Sequence, residues 1–193
     1  STYFTDQTMR VDYFHFGTKA QEFFSMDKAY EDGEWSGSKT NLIDNLNLGE
    51  YLVKVFDVST NALIFSHGYS TIFNEWQTTD EPSAGVYKTF HETARLPFPK
   101  QKIQLTINRR DKQMFFKEIF STIIDPNDRG EISNERRNSD FKVTQLMNNG
   151  PSSEKVDILI VGDGYRKEDL PKFRTDARRL NDAMFNTEPF KEH

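Results

Sequence analysis

Apolar and polar residues alternate with a period of two in six stretches between residues 9 and 124. This alternation is typical of strands that have one face on a core and the other in water. It is clearest at Ile103, Leu105 and Ile107, which alternate with Gln104 and Thr106. The predicted strands cover residues 9–16, 51–58, 62–69, 86–96, 102–108 and 114–123.

Short polar segments at 59–61 and 109–112 each separate two of these stretches and predict hairpins. Strands with such short connections, and no convincing helix among them, predict an antiparallel β-sandwich over residues 1–125. Residues 126–153 are rich in Asn, Asp, Pro, Gly and Ser and predict a linker.

A different pattern begins at residue 154. Residues 156–161 are almost entirely apolar and predict a buried strand, Gly162-Asp163-Gly164 predicts a turn, and residues 167 to about 185 predict an amphipathic helix. A strand that is apolar on both faces needs neighbouring strands and covering helices. We therefore expect residues 154–193 to be the incomplete start of an α/β domain, with self-association through residues 156–161 as another way to cover the strand.

Composition narrows the class of protein. The 193 residues include 30 acidic and 25 basic side chains, giving a net charge of -5, so the balance gives no electrostatic reason to expect nucleic-acid binding. No apolar run approaches the roughly 20 residues of a membrane span. Cysteine is absent, which excludes disulfides, thiolate nucleophiles and cysteine-ligated zinc. The mean hydropathy of -0.75 is low, but 13% aromatic residues argue for a folded chain.

Three motifs begin like functional sites, and each lacks a required residue. His91-Glu92 starts like HExxH, but Arg95 takes the place of the second histidine. Residues 125–130 start like a calcium loop, but Arg129 occupies a ligand position. Gly162 and Gly164 follow a predicted strand, but Lys167 replaces the third glycine of a dinucleotide fingerprint. No catalytic, metal-binding or cofactor-binding residue is predicted. Trp35 and Trp76 are candidates for a ligand-stacking platform, with core packing as the alternative interpretation.

Longer motifs carry a family resemblance. Residues 156–190, VDILIVGDGYRKEDLPKFRTDARRLNDAMFNTEPF, resemble the opening of the catalytic domain in the IgA-type zinc metallopeptidases of gut bacteria. The N-terminal domain of that family is similar to residues 3–125 here, through YFTDQTMRVDYFHFGT, WSGSKTNLIDNLNLGEYLVKVFD, SHGYSTIFNEWQTTDE and TFHETARLPFPK. One departure is Arg166, since the family usually has a capping Thr after GDGY.

The resemblance implies a secreted or cell-envelope protein whose full-length parent cleaves peptide bonds with zinc held by HExxH on a later helix. None of those zinc ligands is in this sequence, so no cofactor is expected in this chain and zinc is expected only in the parent. Residues 1–125 are then expected to be a non-catalytic accessory domain, whose partners are its own catalytic domain and a protein or glycan substrate. An independent β-sandwich module that binds a glycan or a protein is the alternative.

Overall fold

Two four-stranded sheets face each other across the apolar residues of the alternating stretches. They are seen in a computed structural model that describes residues 2–135 and 142–192. The chain divides into two units, Ser1–Arg137 and Asn138–His193, and both sheets belong to the first. The predicted β-sandwich is confirmed.

The first sheet contains β1, β2, β5 and β8, and its order is β5-β1-β2-β8. Their bounds are Phe4–Gly17 for β1, Glu22–Glu34 for β2, Lys88–Pro99 for β5 and Ile132–Ser133 for β8. The second sheet has the order β4-β3-β6-β7, with β3 at Tyr51–Asp57, β4 at Leu63–Tyr69, β6 at Ile103–Arg110 and β7 at Phe116–Ile124. Paired strands are antiparallel except β2 and β8, which are parallel. Both predicted hairpins, β3–β4 and β6–β7, are confirmed.

The core lies between the inward faces of the two sheets. Its fully buried side chains include Met9 and Val11 from β1, Leu96 from β5, Val55 from β3 and Leu105 from β6. β5 contains two prolines, which a strand tolerates here because β5 is an edge of its sheet.

Two short helices follow β4, so the expectation of no helix in this region was wrong. The helix α1 covers Ile72–Trp76 and α2 covers Asp80–Ser83. The Thr71 side chain caps α1 by accepting a hydrogen bond from the Asn74 backbone N–H, at 3.1 Å. Strand β2 was also missed, and β8 lies within the segment predicted as a linker. Residues 136–141 of that segment lie outside the described residues.

The second unit contains a 3₁₀ turn at Lys167–Asp169, the helix α3 at Leu170–Phe185 and a 3₁₀ turn at Phe190–Glu192. The predicted C-terminal helix is confirmed. Phe173 of α3 contacts the Tyr165 ring, with centroids 5.1 Å apart, and a Cβ on Gly162 would lie 3.0 Å from the Phe173 ring. The first glycine of the turn therefore allows the close approach of α3.

The prediction of a strand at residues 156–161 was wrong. These residues form no strand with the rest of the described chain, and Val156, Leu159 and Val161 are 76 to 88% exposed. An apolar strand acquires its hydrogen bonds and its burial from neighbouring strands, and no strand of the second unit is described that would supply them.

Candidate functional site

Polar and charged side chains replace apolar ones at one end of the sandwich interior. His15 comes from β1, Glu22 from β2, Glu92 from β5, Tyr51 from β3 and Arg109 from β6. The alternation that directs core residues inward on these strands directs these side chains inward too. We call these five residues the His15 cluster.

His15 is fully buried between two carboxylates. Its Nδ1 lies 3.0 Å from Glu92 Oε2 and its Nε2 lies 2.9 Å from Glu22 Oε1. A neutral imidazole has only one N–H, so only the protonated ring can donate to both glutamates. Burial lowers the pKa of His15, but the hydrogen bonds and charges of the two glutamates outweigh burial and raise that pKa above its ordinary value.

Glu22 accepts hydrogen bonds from three other members of the cluster. These donors are His15, the Tyr51 hydroxyl at 2.7 Å and the Arg109 guanidinium. Burial alone would raise the pKa of Glu22, but these hydrogen bonds and the positive charges hold it below its ordinary value. Arg109 extends the network to Gln77 Oε1, at 3.1 Å, and Gln77 donates to the Thr18 carbonyl oxygen at 2.8 Å.

Aromatic rings enclose the imidazole on both faces. Phe24 of β2 and Phe73 of α1 stack on His15, with ring centroids 4.1 and 3.9 Å away. Phe73 is itself fully buried, so α1 closes this end of the sandwich over the cluster. His15 is thereby kept away from water, and the two glutamates are largely shielded from it, which strengthens their mutual interaction.

A pocket of about 270 Å³ lies beside the cluster and is lined by residues of β1, β4, β5 and the segment that leads into α1. β4 and β5 are edge strands of their respective sheets. We call this cavity the side pocket. Its apolar walls are Ile72 and Phe90, and its polar lining is Tyr13, Tyr69, Ser70, Thr71, His91, Glu92 and Thr93.

Glu92 connects the side pocket to the His15 cluster. Its Oε2 bonds to His15, while Oε1 is buried and receives no hydrogen bond of good geometry from the described residues. The hydroxyls of Tyr13 and Tyr69 lie 3.1 Å apart. Burial, together with Tyr69 and the nearby Glu92 carboxylate, raises the pKa of Tyr13, and burial likewise raises the pKa of Tyr69. Both hydroxyls therefore stay protonated, and either can donate to the other.

The residues of the cluster do not fit a zinc site. Both nitrogens of His15 face carboxylates, so neither presents a lone pair to a metal. Nowhere in the described ranges do three His, Cys, Asp or Glu side chains form a group that could hold a metal ion. The cluster is chemically a closed network of balanced charges.

The structure does not bring the two tryptophans together. The Trp35 backbone N–H donates to the Asp6 carbonyl oxygen at 2.8 Å, whereas Trp76 contacts Phe90, which pairs with His15. Asp6 and His15 are nine positions apart along β1, which is roughly 30 Å by strand rise. Trp76 is buried and Trp35 packs against the core, so the two do not share a platform.

The motifs that begin like functional sites lie in a strand, a turn and the start of a helix, where their polar groups make ordinary structural hydrogen bonds. His91 lies on the outer face of β5, with Nε2 3.0 Å from Asp27 Oδ2. Asp125 and Asp128 accept hydrogen bonds from the Asn127 and Gly130 backbone N–H groups, as turn residues do. Arg166 precedes the 3₁₀ turn without a side-chain cap, but the Asp169 carboxylate accepts from its backbone N–H at 3.2 Å.

His15, Glu22 and Arg109 belong to no sequence motif of a functional site. The signal that could have found them is a charged or polar side chain at an inward position of an alternating strand, such as Glu92 between Phe90 and Ala94.

Within the described ranges, no helix has the length and apolar character needed to cross a membrane.

Comparison with known proteins gives two matches, in separate parts of the chain. A family model described as Peptidase M64 N-terminus matches residues 1–121. A second, described as IgA Peptidase M64, matches residues 144–193. No curated protein matches the chain.

Proposed function

Because the chain belongs to the Peptidase M64 family, we propose that its β-sandwich is a non-catalytic accessory domain of a zinc metalloendopeptidase. The observation that carries the proposal is the pair of matches. The sandwich falls in the family's N-terminal region, and residues 144–193 fall in the IgA peptidase region.

The chemistry of the sandwich supports a role outside catalysis. The His15 cluster holds its imidazole between two carboxylates and beneath Phe73, where no water or peptide carbonyl can approach the ring. The HExxH motif of a zinc peptidase is not among the 193 residues. We therefore propose that zinc and its bound water act in the full-length parent and that this chain has no peptidase activity of its own.

The experiment is a peptidase assay with a fluorescently labelled protein substrate, run with a metal analysis of the purified chain. We expect no cleavage above background and no stoichiometric zinc. Cleavage that persists after gel filtration and is abolished by a zinc chelator would contradict the non-catalytic role.

Family membership also supports a secreted or cell-envelope location in a gut bacterium. Fractionation of cells that produce the parent protein tests this part of the proposal. Recovery of the protein in the cytoplasm alone would contradict it.

The side pocket favours a second candidate function, in which the sandwich is a binding module for a glycan or a protein. It is concave and has convergent polar groups beside apolar walls, as ligand sites do. Binding by the isolated chain supports this function, whereas the accessory role requires only that the chain be inactive as a peptidase.

A further inference from the structure

We propose that the side pocket binds one pyranose unit of a neutral glycan. The inference builds on the proposed function, since it gives the accessory domain a ligand. Three properties of the side pocket support it, namely its size, the hydrogen-bond donors and acceptors among its lining residues, and its balanced charge.

Size limits the ligand to a small group. The volume of about 270 Å³ is just below the roughly 300 to 1,000 Å³ that is usual for small-molecule sites. A single sugar ring fits such a volume, whereas a longer oligosaccharide extends beyond it. The side pocket lies between the edge strands β4 and β5, so the other sugar units of a glycan have room to leave along the side of the sandwich.

Three consecutive residues of the side-pocket lining carry hydroxyl groups, namely Tyr69, Ser70 and Thr71. The Ser70 and Thr71 hydroxyl oxygens accept hydrogen bonds from the Glu50 and Asn74 backbone N–H groups. Because their oxygens are used in this way, their O–H groups remain able to donate to a ligand. Adjacent sugar hydroxyls, which both accept and donate, match this arrangement.

An acceptor lies next to those donors. If Tyr69 donates to Tyr13, and Tyr13 turns its O–H toward the buried Oε1 of Glu92, then the Tyr69 oxygen is left to accept from the side pocket. A ligand O–H that donates to the Tyr69 oxygen favours this order of hydrogen bonds, from Tyr69 to Tyr13 to Glu92. It thereby helps to satisfy the buried carboxylate oxygen. An apolar ligand offers no such donor.

Charge argues against an ionic ligand. The side-pocket lining contains no lysine or arginine to bind an anion, and its one histidine, His91, faces the Asp27 carboxylate. Its carboxylate, Glu92, already faces the buried imidazole of His15, so a cationic ligand finds little uncompensated negative charge. Phe90 and Ile72 supply apolar walls against which the C–H face of a sugar can pack.

Two-dimensional amide NMR of the ¹⁵N-labelled chain tests the proposal. The probes are the methyl pyranosides of glucose, galactose and mannose, with glucose 6-phosphate and glucosamine as charged comparisons. We expect at least one neutral probe to bind with a Kd of about 1 mM, the order expected for one sugar ring. Its shifts should cluster at residues 69–72 and 90–93, and both charged probes should bind more weakly.

Tyr69→Phe removes one hydroxyl and should weaken binding at least tenfold. Tyr3→Phe is the matched control, because Tyr3 precedes β1 at the opposite end of the sandwich, and it should leave the Kd unchanged. If Tyr69→Phe does not fold, the location of the shifts in the unaltered chain decides the question. No shift with any of the three neutral probes, shifts located elsewhere, or an unchanged Kd in Tyr69→Phe would overturn the proposal. None of these results would affect the non-catalytic role, which depends on the peptidase assay.

Discussion

The His15 cluster concentrates much of the stability of its end of the sandwich in one carboxylate. Glu22→Gln keeps the side-chain shape but replaces a charged acceptor that receives bonds from His15, Tyr51 and Arg109. Breaking a buried ion pair on one side leaves the partner charges uncompensated. We expect the free energy of unfolding, measured by urea denaturation, to fall by about 2 to 4 kcal/mol.

Glu34→Gln is the matched control, because Glu34 is exposed at the end of the same strand. It should change the free energy of unfolding by less than about 0.5 kcal/mol. Equal effects in the two variants would mean that the cluster contributes no more than surface charge.

His15 also makes stability depend on pH. Its pKa is raised above the usual 6.5, so its contribution is complete below about pH 6.5 and is lost as the pH rises through the raised value. The groups that face it are Glu22 from β2 and Glu92 from β5, with Tyr51 and Arg109 bonded to Glu22. The free energy of unfolding should therefore decrease as the pH rises from about 6.5 through the raised pKa of His15.

The measurement is urea denaturation across that range for the unaltered chain and for His15→Gln. The histidine-dependent decrease should be absent in the variant. Glu22 acts in the opposite direction, because its pKa lies below the usual 4.5 and its contribution is lost as the pH falls through that lowered value. Parallel pH profiles for the two proteins would show that His15 does not remain protonated.

The strand alternation places Glu92 on the inward face of its strand, yet it does not identify the partner of Glu92. The His15–Glu92 contact joins residues 77 positions apart, and the Arg109–Glu22 contact joins residues 87 positions apart. A local pattern carries no information about such pairs. This is why the cluster emerges only from the fold, although each of its strands except β2 was predicted from sequence.

At the scale of elements, α1 is a cover for the His15 cluster. Phe73→Ala removes the fully buried ring that stacks on His15 and leaves a cavity beside Trp76 and Phe90. We expect a loss of about 3 to 5 kcal/mol in the free energy of unfolding. Thermal and urea denaturation of the purified variant measure it.

The neighbouring residue provides the comparison. Ile72 lies on the same helix but is exposed, so Ile72→Ala should cost less than about 0.5 kcal/mol. A small effect in Phe73→Ala as well would mean that the helix is not required to close the end of the sandwich.

Elements interrupted by irregular geometry were the ones that sequence reasoning missed. In β2 the inward positions shift from Phe24 and Met26 to Ala29, because a bulge opposite Asp12 and Tyr13 inserts one residue. The period-two signal is therefore broken in the middle of the strand. The helix α1 is only five residues long, which is too short to show a helical period.

At the scale of the whole molecule, sheet order is the least local feature of the fold. β1 pairs with β5, about 80 positions away in sequence, and β8 joins the same sheet from the segment predicted as a linker. The hairpins β3–β4 and β6–β7 were predictable because their turns lie between adjacent strands. The sandwich class can thus be predicted from the alternation of apolar and polar residues, whereas the order of the strands depends on which strand faces pack together.

The two units should differ sharply in their resistance to thermolysin, which cuts before bulky apolar residues. Val156 and Leu159 are exposed and belong to no strand, so cleavage should occur first within residues 156–161. Leu105 and Ile107 are the internal control, because the same kind of residue is buried and hydrogen-bonded in β6. Mass spectrometry of timed digests should show a resistant fragment that contains β1 to β7.

Protection of residues 156–161 would mean that another copy of the chain or another segment covers them. Concentration dependence of that protection would point to self-association. Cleavage there at every concentration would fit a peptidase-region segment whose neighbouring strands are required for its burial.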